Sequence, residues 1–109
     1  MSLPFVNEEK MAMSFKEFVD TIQWASPPEF RTPLLSSLWF DAKGNWDKAH
    51  EIAQSVHTAR GSWVHAYLHW KQGDMANAQY WYARAGKGLP MIQLEEEWEK
   101  ICSILLQGS

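Results

Sequence analysis

The sequence contains one cysteine, Cys102, so no internal disulfide can brace the fold. It has no basic run, and its 10 Lys and Arg stand against 13 Asp and Glu for a formal charge of −3. Without a basic stripe the electrostatic attraction that carries nucleic-acid binding is missing, and neither DNA nor RNA is expected as a partner. No apolar stretch approaches the roughly 18 residues of a membrane span. The opening MSLPFVNEEK does not set an apolar core behind a basic segment. Membrane insertion and export are therefore not expected, and a cytoplasmic location is. Ser-His-Asp spacing, a CxxC pair, a glycine-rich phosphate loop and the His-Glu-x-x-His pattern of zinc proteases are all missing. No catalytic residue and no cofactor is assigned, and the reading leans away from an enzyme.

What the chain does have is apolar side chains at helical spacing, 46% hydrophobic residues over 109, enough for one compact core. Residues 1–109 are read as a single all-α domain with an N-terminal arm over 1–13. Ser14 and Glu17 form a capping box for a helix from about Phe15 to Trp24 that carries Phe15, Phe18, Val19 and Ile22. Pro27 and Pro28 end it, and Thr32-Pro33 opens the next, to about Lys43. Gly44 closes that helix and Asn45 caps another, Trp46 to about His57, whose apolar face is Trp46, Ala49, Ile52, Ala53 and Val56. His57 then lies near a helix C-terminus, where the dipole accounts for it. Thr58 to Gly61 reads as a turn and Ser62 as the cap of a helix to Gln72. Gly73 and Asp74 separate it from Met75–Ala85. After a loop over 86–90, a last helix from Met91 to Leu106 puts Met91, Leu94, Trp98, Ile101 and Leu105 on one stripe, with Cys102 a buried thiol and Glu95, Glu96, Glu97 and Glu99 on a solvated acidic face.

Laying Gly44-Asn45 over Gly73-Asp74 gives an offset of 29 residues that matches Ala49 to Ala78. A small side chain at that place lets antiparallel helices approach closely. The expected architecture is thus two stacked helix-turn-helix hairpins, 33–57 and 62–85, with a flanking helix at each end; 91–106 is a docking helix. Gly73, Asp74, Ala78, Tyr82, Ala85 and Pro90 resemble the second half of a tetratricopeptide repeat, and the resemblance implies a small right-handed stack. Trp63 and His69 depart from that repeat's pattern. Over Trp39 to Lys87 the string Trp46-Asp47, Ala49-His50-Glu51, Trp63, His65-Ala66-Tyr67-Leu68-His69, Gly73-Asp74, Asn77-Ala78, Tyr80-Trp81-Tyr82 and Arg84-Ala85-Gly86 is similar to a family of small bacterial and fungal proteins with no established activity. That resemblance implies an all-helical fold and a shared surface, and supplies no mechanism. Trp70 and Gln72 depart from the family pattern, which has a basic and an acidic residue there.

The helix that begins at Ser62 is apolar almost all round, as a central helix is; its polar line is His65, His69 and Gln72. Histidines at i and i+4 share a face, a spacing that lets two imidazoles hold one metal ion. His50, on the helix before, can join them, with Glu51 or Asp41 as an oxygen ligand. The alternative is that His65 and His69 are hydrogen-bonded core groups. Trp63, Tyr67 and Trp70 recur at i, i+4 and i+7, and with Lys71 they would line the concave face of a repeat stack, where a peptide or protein partner docks. Those rings serve equally well as core. In the run Tyr80-Trp81-Tyr82 each step turns about 100°, so at least one ring faces outward. Asp47, Asp74 and Arg84 have capping or dipole roles that need no ligand. Two functional readings follow. One is a non-catalytic interaction module that uses Trp63, His65, Tyr67, His69, Trp70 and Lys71 to bind a peptide or protein; the other is a metal or small-molecule site on His50, His65 and His69.

Overall fold

The computed structural model describes residues 13–108, so the expected N-terminal arm, apart from Met13, lies outside the described residues. Those residues form six helices and no strand: α1 Phe15–Thr21, α2 Pro33–Ala42, α3 Trp46–Gln54, α4 Ala59–Lys71, α5 Met75–Arg84 and α6 Leu94–Gln107. Helix α2 pairs with α3 and α4 with α5, the two hairpins stack through α3 and α4, and α6 lies against α1, α2 and α4.

The caps explain most of the boundaries. Ser14 Oγ accepts from the Glu17 amide at 3.1 Å while Glu17 Oε1 accepts from the Ser14 amide at 2.9 Å, the reciprocal box expected at the start of α1. Thr32 Oγ1, Asn45 Oδ1 and Asp74 Oδ1 accept from amides in the first turns of α2, α3 and α5. The turns of the two hairpins repeat one geometry. Gly44 and Gly73 have φ of +88° and +87°, and the amides of Asn45 and Asp74 each reach back 2.9 Å to the carbonyls of Phe40 and His69.

Four boundaries differ from the sequence reading. Helix α3 stops at Gln54 with Ser55 as its C-cap, so His57 lies beyond it, next to the Thr58 cap of α4, and not at a helix C-terminus. Helix α1 stops at Thr21, where Ile22, Gln23 and Trp24 bond to carbonyls three residues back, and Val19 and Trp24 stay exposed. Helix α4 starts at Ala59: its cap is Thr58, whose Oγ1 accepts from the Gly61 amide at 3.0 Å, and Ser62 lies in its second turn. Gly61 is therefore no breaker. It sits where α4 presses on the end of the preceding segment, and a Cβ there would lie 2.0 Å from the Val56 carbonyl oxygen. Helix α6 starts at Leu94 because Gln93 and Glu96 form a capping box, which leaves Met91 at 99% exposure rather than on the buried stripe.

The core contains Phe18, Leu35, Leu38, Trp39, Val64, Leu68, Tyr82, Ile101 and Cys102, all buried. Ala49 and Ala78 are fully buried, as the close approach within each hairpin requires. Polar ties fix how the helices sit. Ser37 Oγ donates to the Ala49 carbonyl at 2.7 Å, Trp39 Nε1 to the Thr21 carbonyl at 3.1 Å and Trp46 Nε1 to the Leu68 carbonyl at 2.8 Å. Among the described residues no helix is long and apolar enough to cross a membrane.

Glu97 departs furthest from expectation. Its place in a glutamate run reads as a solvated acidic face, yet it is buried, with Oε2 accepting from Trp63 Nε1 at 2.8 Å and from Tyr82 Oη at 2.9 Å. One carboxylate thus joins α6 to both helices of the second hairpin. Glu95, Glu96 and Glu99 do face solvent.

Candidate metal centre

Helix α4 places His65 and His69 one turn apart on the face that meets α3, and the stacking of α3 on α4 brings His50 to the same point. The three imidazoles converge: one ring nitrogen from each lies within 4.8 Å of the others. His65 Nε2 and His50 Nε2 are 2.9 Å apart, close enough for a hydrogen bond in which one ring donates and the other accepts. The ring centroids of His50 are 4.6 Å from His65 and 5.1 Å from His69, and His65 and His69 stack at 4.9 Å.

Two indoles wall the cluster. Trp46 stacks on His50 at 4.7 Å with planes 13° apart, and Trp81 stacks on His65 at 4.1 Å with planes 22° apart. This gives Trp81 its place in the aromatic run, with Tyr80 turned outward and Tyr82 committed to Glu97. His65 and Trp81 also line a cavity of about 310 Å³, together with His57, Thr58 and Arg84.

The cluster favours neutral imidazole. Burial, and then the neighbouring His50 and His69, lower the His65 pKa from the usual 6.5 to about 4. Burial lowers His50, against Asp47; burial and His50 lower His69, against Asp74. Neutral imidazole is the form that donates a lone pair to a metal. His69 Nδ1 is buried and has no hydrogen-bond partner among the described residues, and Asp74 Oδ2 stands 3.9 Å from it. A carboxylate behind a histidine is the arrangement that orients a metal-ligating ring.

The metal-free protein therefore loses stability in acid. Each folded-state value lies below the unfolded one, so between them the unfolded chain binds more protons. The histidines' contribution to stability is present above pH 6.5 and is lost as the pH drops toward 4; His65 alone accounts for up to about 1.4 kcal/mol per pH unit and about 3 kcal/mol in all. Melting curves at pH 7.5, 6 and 4.5 should show this loss, and His65→Gln should flatten it. An unchanged slope in that variant would mean His65 is not the titrating group.

The other residues singled out in the sequence lie elsewhere. Glu51 is exposed and within 4.0 Å of Lys48, and Asp41 Oδ1 accepts from Lys71 at 2.9 Å, so neither joins the imidazoles as an oxygen ligand. Trp63 and Tyr67 are each 3% exposed, Trp70 is half-buried and Lys71 is exposed. Helix α6 occupies the face on which the aromatic groove was expected, and its Glu97 takes the Trp63 indole. Trp46 and Trp81 were missed as part of the site. The i to i+4 spacing of Trp46 and His50 was the available signal for the first; the second depends on the rotation of α5 against α4. No family model, curated protein or solved structure matches the chain.

Proposed function

We propose that the protein binds one divalent transition-metal ion, zinc(II) foremost, through His50, His65 and His69. The observation that carries this reading is the convergence of three neutral imidazoles from two helices within 4.8 Å, walled by Trp46 and Trp81. Imidazole suits zinc and its late first-row neighbours, and no thiolate or carboxylate in the cluster pulls the preference toward softer or harder ions. Three nitrogens at 2.0–2.1 Å from a tetrahedral ion lie about 3.3 Å apart, so the closest pair opens slightly and the widest closes. The fourth position is left to water or an exchangeable ligand. Three histidines and one open position are also the donor set of catalytic zinc, but Asp74, the carboxylate beside the cluster, lies behind His69 and accepts from Asn77, and the proposal stops at binding.

The scaffold under the site is read as tetratricopeptide-like, on its two Gly-Asn and Gly-Asp turns 29 residues apart. A cytoplasmic setting, where the Cys102 thiol stays reduced, goes with this reading. The peptide-docking alternative has less support, because Trp63 and Tyr67 lie beneath α6.

Titration of metal-stripped protein with zinc(II), and with cobalt(II) for its visible absorption, tests the proposal. One equivalent should bind, with a four-coordinate cobalt spectrum. Excess zinc at about 1,000 times Kd should stabilise the fold by about 4 kcal/mol. His65→Ala and His69→Ala should each weaken binding by more than about 100-fold, beyond the loss typical of an outer-sphere change. His57→Ala, outside the cluster and exposed, should bind as the parent does. Binding that survives His65→Ala, or a stoichiometry well below one, would overturn it.

A further inference from the structure

A second cavity, of about 470 Å³, opens where α1, α2, α4 and α6 meet, on Asp41, Tyr67 and Lys71. Phe15, Leu94 and Trp98 supply its apolar wall, with Phe15 and Trp98 edge to face at 5.8 Å. The volume is within the range of small-molecule pockets. It shares no lining residue with the histidine cluster.

The polar end is unusual in its charge. Asp41 is buried, its side chain 2% exposed, and among the described residues only one of its two oxygens is used: Oδ1 accepts from Lys71 at 2.9 Å, and Oδ2 has no hydrogen-bond partner. A buried carboxylate oxygen without a partner is costly, and burial raises the Asp41 pKa although Lys71 opposes the rise. Glu95 and Glu99, both exposed, stand at the rim of the same cavity, so its lining carries three acidic residues and one basic one. Lys71 reaches Asp41 Oδ1 from the last turn of α4 with its side chain 42% exposed. A flexible lysine stem can swing out to water at small cost.

From these observations we infer that the cavity is a binding site for an organic ammonium with an apolar, ring-sized body. The ligand's ammonium takes the place of the Lys71 ammonium on Asp41. Once Lys71 has swung out, the ligand's remaining N–H donors turn toward Oδ2, which is buried and unused while Lys71 is in place, and its body lies against Phe15, Leu94 and Trp98. The excess of carboxylates selects a cation over a neutral or anionic ligand of the same shape. Tyr67, on the sequence reading a partner-binding residue, here serves a small molecule rather than a peptide.

The test compares three probes of one shape on the full chain: 2-phenylethylammonium, 2-phenylethanol and phenylacetate. Binding is read by calorimetry and by the fluorescence and chemical shifts of Trp98. The ammonium should bind about tenfold or more tighter than either of the others, the worth of a charged hydrogen bond. Lys71→Ala vacates the carboxylate without touching the core, and should tighten ammonium binding while leaving the alcohol unchanged. Asp41→Asn should abolish the preference for the cation. If Asp41→Asn fails to fold, Lys71→Ala still decides: equal affinity for ammonium and alcohol in that variant overturns the inference. Tighter binding of phenylacetate than of the ammonium, in either form, overturns it as well.

Discussion

Glu97→Ala should lower the free energy of unfolding by about 4 kcal/mol, because it removes one acceptor from two buried donors. Trp63 Nε1 and Tyr82 Oη would both be left facing a cavity instead of the carboxylate they share. Glu97→Gln keeps a carbonyl oxygen at the same reach and should cost about half as much or less. Urea denaturation measures both, with the slope showing whether the same surface is exposed in each. A loss under about 1 kcal/mol for the alanine variant would show that this carboxylate does not hold α6 to the second hairpin. The prediction is specific to position 97: Glu95→Ala and Glu99→Ala remove exposed side chains and should be near neutral.

That contrast shows how far the sequence can be read. Capping residues act through bonds two or three positions away, so Ser14, Thr32, Asn45 and Asp74 announce their helices from local pattern alone. Glycines at positive φ announce the turns in the same way. Glu97 sits in a run of glutamates that is locally identical to a solvated face. Its burial is decided by Trp63 and Tyr82, 34 and 15 residues away. Gly61 misled for the complementary reason, since glycine signals a break or a close approach, and only the path of the chain at Val56 distinguishes them. The histidines were legible in part. The i to i+4 pair needs only helical geometry, and His50 needs only the stacking of one hairpin on the next. Asp41 and Lys71 could not be paired from sequence, because the rotation of α2 against α4 sets that contact.

Gly61→Ala is expected to destabilise the protein by about 2 kcal/mol or more, against the gain of about 1 kcal/mol that alanine normally brings to a helix. The added methyl carbon would sit 2.0 Å from the Val56 carbonyl oxygen and 2.9 Å from its carbon. Those are backbone atoms, so no side-chain rotation relieves the clash and the segment between α3 and α4 must move. The same movement separates His50 on α3 from His65 on α4, so metal affinity should fall in this variant without loss of any ligand. Thermal melts and zinc titrations of one preparation check both effects together. A stabilised Gly61→Ala, the result helix propensity alone would give, would mean that the two helices do not meet so closely. Gly44 and Gly73 differ in kind, since nothing lies within 4 Å of a Cβ placed there and only their positive φ resists substitution.

Cys102 is the chain's one thiol, fully buried on α6 among Leu and Ile side chains, and burial holds its pKa well above the usual range. A thiol in that state does not react with an alkylating reagent while α6 stays docked. The molecule therefore has a built-in clock. The rate at which an added reagent consumes the thiol counts how often the last helix leaves the bundle, with no label or engineered site, and a bound ion or ammonium that tightens the helices slows that clock in proportion.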